Sequence, residues 1–247
     1  MSIQHLGTMT WREVKGFVRE RTVALLPLGS IEAHGPHLPL NTDVMISAEM
    51  AKRAARKLSA AGKDVLMYPP VVFTPAAGGA KFAGTVNVPP GAFGGYLRAV
   101  LSQVAAAGVK VAVLVTCHVD ESYFGAVAQC REALAGALGP EALRIVAPDL
   151  RKPPWIELMP DEFKRGAGHA GHYETSCMLA IDPEKVRDEV RRNLEPVESS
   201  SAEGDFESRG AKDAYFGNPA GATSAHGEDY LEALATIVTD AVLEAKA

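Results

Sequence analysis

The chain has 247 residues, of which 47% are hydrophobic and 22% charged, enough apolar material for a full core and a composition that excludes a disordered or fibrous chain. Its formal charge is −5, with acidic and basic residues interspersed, so it offers no basic face to a polyanion and no nucleic-acid partner is expected. The first residues lack the apolar core of a signal peptide, and no later run reaches the roughly 18 apolar residues of a membrane span. A cytoplasmic protein with no membrane partner is therefore expected. No Pro/Ser-rich linker or charge block divides the middle, and residues 1–247 read as a single domain.

The chain first becomes strongly apolar at Val23 to Leu28, which reads as a buried strand. Directly after it comes Gly29-Ser-Ile-Glu32-Ala-His34-Gly-Pro-His37-Leu-Pro-Leu-Asn-Thr-Asp43, dense in potential ligands. Glu32 and His34 are two apart, so an extended backbone projects them to one side, and the proline-bearing loop can fold Asp43 back toward them. Imidazole nitrogen with carboxylate oxygen suits zinc and manganese, and a carboxylate has two oxygens with which to bridge a pair of ions. Asp43 is the natural bridge. The competing reading is that these residues only cap turns and helices.

A helix is predicted over Ser47 to Leu58, then a strand over Val65 to Phe73, a helix over Tyr96 to Ala107 stopped by Gly108, and a strand over Val109 to Val115. That strand runs into His118 and Asp120, again two apart, with Glu121 close enough to substitute. In open α/β sheets ligands gather at the carboxyl ends of strands. Cys117 beside His118 raises a nucleophilic Cys/His pair, but adjacent strand residues point to opposite faces. The three cysteines, Cys117, Cys130 and Cys177, are too scattered for a disulfide framework and read as reduced thiols.

A helix over Tyr123 to Leu138 and a strand over Leu143 to Val146 follow, then Gly168-His169-Ala-Gly-His172-Tyr-Glu174-Thr-Ser176 and an apolar helix starting near Cys177. If that helix extends back, His169 and Glu174 lie within reach of one face and can supply a proton donor or substrate contacts, whereas Glu174 and Ser176 can equally serve the helix start. Pro183 sits in a first turn, Glu195 to Thr223 reads as a long surface excursion, and Gly227 to Ala245 as a terminal amphipathic helix. Strands alternating with helices predict an α/β fold with a mostly parallel sheet.

The segment LLPLGSIEAHGPHLPLNTD, the strand end at His118, the HAGHYETS block and the distal GNPAGATSAHGEDYLEAL together resemble the creatininase family over almost the whole chain. The resemblance implies a three-layer α/β/α sandwich holding two divalent metal ions, zinc or manganese with iron(II) as an alternative, within a homo-oligomer that is hexameric in creatininase itself. Glu32, His34, Asp43 and His118 match family ligand positions. Asp120 stands where creatininase has a glutamate ligand.

The implied chemistry is hydrolysis of a non-peptide C–N bond in a small-molecule substrate, an amide, cyclic amide or formamide, with His169 and Glu174 as catalytic residues. Hydrolysis of a peptide or an oxidised sugar, or metal binding without turnover, are the alternatives. Val119 stands where creatininase has a tyrosine, and Arg165-Gly-Ala-Gly replaces its tryptophan-containing sequence, which argues against creatinine as substrate. Val119, Arg165 and His172 are the candidate substrate-lining residues. Arg165 and Lys81 would suit an anion, and His172 is left to contact substrate, add a ligand or face solvent.

Overall fold

The computed structural model describes residues 2–139, 141–201 and 204–244. Five strands, β1 (Ile3–His5), β2 (Thr22–Pro27), β3 (Asp64–Met67), β4 (Val111–Val115) and β5 (Arg144–Val146), alternate with α1 (Trp11–Phe17), α2 (Thr42–Ala60), α3 (Pro90–Ala106), α4 (Glu121–Leu138), α5 (Asp161–Lys164), α6 (His172–Ile181), α7 (Asp188–Arg191) and α8 (Ser224–Leu243). The strand order is β1-β3-β2-β4-β5. Every pairing is parallel.

The period-two pattern of the central strands divides the core. Val23 and Leu25 of β2, with Val113 and Val115 of β4, pack on one face against Ile46, Met50 and Leu58 of α2 and Leu231, Leu234 and Val238 of α8. Ala24 and Leu26, with Ala112 and Leu114, face the other way onto Phe93, Leu97 and Leu101 of α3 and Tyr123 and Val127 of α4. Both faces of the sheet are covered, as an all-parallel sheet requires. The result is the three-layer α/β/α arrangement. Each fully buried Leu, Ile or Met contributes about 1.5–3 kcal/mol, so the stack holds its strand ends rigidly.

The chain leaves β2 for β3 through α2 on one face and returns across the sheet to β4, on the other side of β2, through α3 on the opposite face. That reversal opens a crevice at the carboxyl ends of β2 and β4, the usual ligand position in an open α/β sheet. Gly29 fixes the adjoining helix: a Cβ there would lie 2.5 Å from the Val44 nitrogen and 2.7 Å from the Asp43 carbonyl carbon. The strand end and the first turn of α2 therefore approach to backbone contact.

Several predicted boundaries move. The strand expected over Val65 to Phe73 stops at Met67, where the Pro69-Pro70 pair removes two ladder donors, leaving an isolated bridge from Val71 to Leu28. The helix expected from Ser47 starts at Thr42, which puts Asp43 on its first turn. The helix expected near Cys177 starts at His172. The terminal helix is described as far as Leu243, and the predicted end at Ala245 lies outside the described residues. Among the described residues no helix is long and apolar enough to cross a membrane.

Candidate metal centre

Each element around the crevice delivers one or two polar side chains to it. The loop after β2 carries Glu32 and His34 and is closed by the Glu32 amide donating to the Leu40 carbonyl (3.0 Å). The first turn of α2 supplies Asp43, where the unpaired amides of a helix N-terminus favour a carboxylate. The end of β4 supplies His118, and the first turn of α6 supplies Glu174, whose Oε2 accepts from the Ala170 amide (2.7 Å). All are nearly excluded from solvent: Glu32 is 2% exposed, His34 0%, Asp43 1%, His118 6% and Glu174 5%.

Three groups of potential ligand atoms each fall within 4.8 Å of one another: Glu32, Asp43 and His118; His34, Asp43 and Glu174; and Glu32, His34 and His169. The first two share Asp43, whose oxygens diverge. Its Oδ1 lies 3.3 Å from His34 Nε2 and its Oδ2 3.0 Å from His118 Nδ1. Glu174 Oε2 is 3.4 Å from His34 Nε2, and Glu32 Oε1 is 3.0 Å from His118 Nδ1.

The imidazole tautomers follow from the remaining bonds. His34 Nδ1 lies 3.1 Å from the Glu32 carbonyl, and His118 Nε2 lies 2.7 Å from the Pro75 carbonyl. A carbonyl only accepts, so those ring nitrogens carry the hydrogen. The other nitrogen of each ring, His34 Nε2 and His118 Nδ1, then points a lone pair at carboxylate oxygens, which are also lone-pair donors. His34 Nε2 and Asp43 Oδ2 are buried without a hydrogen-bond partner. Facing lone pairs are resolved by a proton or a cation between them, and a carbonyl-oriented imidazole is the usual support of a metal-ligating histidine.

The electrostatics agree. Burial would lower the pKa of His34, but Asp43 and Glu174 hold it well above the usual histidine value. Burial is likewise outweighed at His118 by Glu32 and Asp43. Asp43 is pulled well below the usual carboxylate value against its burial by the two imidazoles, whereas Glu32 is raised to about 6 by burial, with His118 opposing. Three buried carboxylates against two imidazoles leave negative charge even with both rings protonated, and uncompensated buried charge costs several kcal/mol. The donor set therefore fits divalent cations.

His169 stands beside this cluster. Its Nε2 lies 2.9 Å from the Ala33 carbonyl, so Nε2 carries the hydrogen and Nδ1 the lone pair. Its ring centroid is 4.3 Å from that of His34. Burial first, and then the charge of His34, push its pKa well below the usual value, so it is neutral near pH 7.

The other sequence candidates lie elsewhere. Asp120 is the N-cap of α4: its Oδ1 accepts from the Ser122 amide (2.8 Å), the Ser122 hydroxyl and the Tyr123 amide, and its Oδ2 from the Ala77 amide (3.0 Å). Its oxygens are engaged by these donors, and among the described residues Asp120 joins none of the candidate ligand groups, whereas Glu174 does. Glu121 reaches outward to pair with Arg151. Arg165 ends α5 on the exposed surface, and Val119 is 40% exposed just past His118.

His172 turns to α8, 3.3 Å from the Tyr230 hydroxyl and 5.0 Å from the His226 ring centroid, because two residues along a helix separate it from Glu174 by more than half a turn. Lys81 is engaged by Asp205 at 2.8 Å. Cys117 is buried with its Sγ 3.7 Å from Asp43 Oδ1, and burial with the nearby carboxylates raises its pKa well above the usual thiol value, unlike a nucleophilic thiolate.

A sequence profile described as creatininase, creatinine amidohydrolase, matches residues 7–242. The chain is 30% identical over 189 residues to the creatinine amidohydrolase of Pseudomonas putida, covering 73% of each chain. It is 32% identical over 182 residues to the mycofactocin precursor peptide peptidase of Mycolicibacterium smegmatis, covering 73% of this chain and 65% of that one. It is also 25% identical over 207 residues to the 3-dehydro-scyllo-inosose hydrolase of Thermotoga maritima, covering 78% of this chain and 60% of that one.

Among solved structures, creatinine amidohydrolase (creatininase) superposes with a TM-score of 0.79 at 24% identity, over 97% of this chain and 96% of that one. Creatininase in a manganese form gives 0.78 at 23% identity over 97% of both chains, a likeness of fold. The matches place the chain among hydrolases built on this fold. It belongs to the creatininase family. The expected restriction to non-peptide bonds is not supported, because relatives of similar identity are peptidases by name.

Proposed function

We propose that the chain is a two-metal hydrolase in which Glu32, Asp43 and His118 would hold one divalent ion and His34, Asp43 and Glu174 the other, with the Asp43 carboxylate common to both sets. The observation that supports this reading is the pair of buried imidazole nitrogens, each aimed at a different oxygen of the same carboxylate. Zinc or manganese suits the donor set, with iron(II) as an alternative. Such an ion pair, when bound, polarises a carbonyl and makes water a nucleophile near neutral pH.

The residues around it do the rest. The Glu32 and Pro75 carbonyls orient His34 and His118, and the Ala170 amide holds Glu174. His169, neutral and fixed by the Ala33 carbonyl, presents Nδ1 as a base that can take a proton from the attacking water and return it to the leaving nitrogen. The enclosure of the cluster supports a compact, polar substrate cleaved at a C–N bond: an amide, cyclic amide or formamide.

Creatinine itself is disfavoured by Val119 and the Arg165-Gly-Ala-Gly sequence, and the likeness to a peptidase keeps a short peptide as the second reading. A homo-oligomer and a cytoplasmic setting complete the proposal, the latter supported by three free, buried cysteines.

The test is a screen of formamides, cyclic amides and short peptides with protein as purified, after chelation, and after reloading with zinc, manganese or iron(II). Hydrolysis lost on chelation and restored by one metal supports the proposal. Hydrolysis that survives chelation, or persists in a folded His118→Ala variant, overturns it.

A further inference from the structure

The long excursion after residue 195 does not stay on the surface. It returns across the crevice and lays Phe206, only 7% exposed, on the outer side of His169 with ring centroids 4.1 Å apart. The Phe206 amide donates to the Gly78 carbonyl (3.0 Å), and a Cβ on Gly78 would meet the Phe206 ring at 2.6 Å. At Gly79 a Cβ would lie 3.2 Å from both the Phe206 ring and Glu32 Oε2. Phe206 and the Glu32 carboxylate are thus separated by little more than one glycine.

Arg209 anchors the far end of the turn, donating to the Ser201 carbonyl (3.0 Å) and the Ser199 hydroxyl (3.1 Å) and lying over the Phe216 ring, whereas the end that carries Phe206 is held to the neighbouring loop more lightly. Lys81 pairs with Asp205 at 2.8 Å and approaches Glu207 at 3.8 Å, all on the surface, where such pairs contribute little and weaken with salt. Behind the ring, Phe82 and Phe216 complete an aromatic nest at 6.4 and 6.0 Å between centroids.

We infer that Phe206 is a specificity-determining residue, both the cover of the hydrolytic centre and the apolar wall against which the substrate group beside the scissile bond packs. With the ring in place the ligand side chains are closed off, so substrate reaches them when Phe206 lifts from Gly78 and His169 while Arg209 stays anchored. With the rings in contact no group lies between them in the closed form; once Phe206 lifts, a flat or compact group needs a smaller displacement than a bulky branched one. The role in substrate selection rests on the proposed function; the role as cover does not.

The test is the rate at which diethyl pyrocarbonate modifies His169, followed by peptide mass mapping on the full-length protein, with exposed His5 as internal reference and bound metal counted in the same samples. The reagent attacks an imidazole lone pair, and the Ala33 carbonyl at Nε2 leaves that lone pair on Nδ1. His169 is half-buried beneath the ring, so in wild type it is expected to react more slowly than exposed His5. Phe206→Ala should raise that rate at least about tenfold, as removal of a local opening step does, and Phe206→Trp should restore protection. Lys81→Ala and added salt should raise it less.

Should Phe206→Ala fold poorly, the Lys81→Ala and salt series carry the same comparison. A His169 that reacts as fast as His5 in wild type, or equally in wild type and Phe206→Ala, overturns the cover. Protection by Phe206 in a protein that binds no metal would sustain the cover and refute the metal reading alone.

Discussion

Asp120 and Glu174 compete for one role, and substituting each separates them. The Asp120 carboxylate caps α4 and also holds the Ala77 amide. Removing an N-cap costs about 1 kcal/mol, and the exposed Ala77 hydrogen bond adds about 0.5 kcal/mol at most. Asp120→Ala should therefore destabilise by about 1.5 kcal/mol, a fall in Tm of about 3–6 °C for a chain of this length. Its metal content should not change.

Glu174→Gln is nearly isosteric and keeps an oxygen to accept from Ala170, but it removes the charge 3.4 Å from His34 Nε2. Loss of an outer support of a metal site costs about 10–100-fold in affinity, so loss of a ligand should cost at least about 100-fold at one site and leave the other filled. Calorimetry and elemental analysis after gel filtration read both quantities. A normal metal count in Glu174→Gln together with an ion lost in Asp120→Ala would refute the reasoning and return the ligand role to Asp120.

Further consequences concern packing and protons. Gly227 of α8 passes so close to α6 that a Cβ would overlap the Ser176 carbonyl oxygen, so Gly227→Ala should cost at least about 1–3 kcal/mol, and an unchanged Tm by calorimetry would deny that approach. Metal uptake should be linked to pH: burial opposes protonation of His34 and His118, but their carboxylate neighbours hold both pKa values well above the usual one. Both rings then carry protons at neutral pH in the metal-free protein, so binding releases them and weakens as pH falls. An indicator-dye titration showing no proton release at pH 7 would contradict this.

The parts of the fold and site that the sequence disclosed are those carried by local pattern. Apolar runs at β2 and β4 marked both strands whose ends build the crevice, and Glu32 and His34, two apart in the loop after β2, bring their ligand atoms close together. Ile3–His5 escaped notice as a strand because three residues, none of them fully buried, leave no periodic signal. The early start of α2 was hidden behind Pro39 and Asn41, which read as loop, although Asp43 gains its position from that start.

Asp120 has two possible roles for a physical reason. The residue before a helix can spend its carboxylate on a metal or on the helix amides, and only three dimensions show which. Glu174 became legible as a potential ligand once α6 was seen to begin at His172, and Phe206 had no local signal because its partners, Gly78 and His169, are far away in the chain. The Pro75 carbonyl, which orients His118, is a backbone atom and could not be read from residue types.

The most direct measurement on the central claim is the metal content of wild type beside Asp43→Asn, with folding confirmed by circular dichroism. A carboxylate that bridges two ions predicts about two equivalents per chain in wild type and near-complete loss of both in the variant, while Glu32→Gln and Glu174→Gln each lose one. Asp43→Asn retaining one tightly held ion would contradict the bridge, and with it the two-metal account.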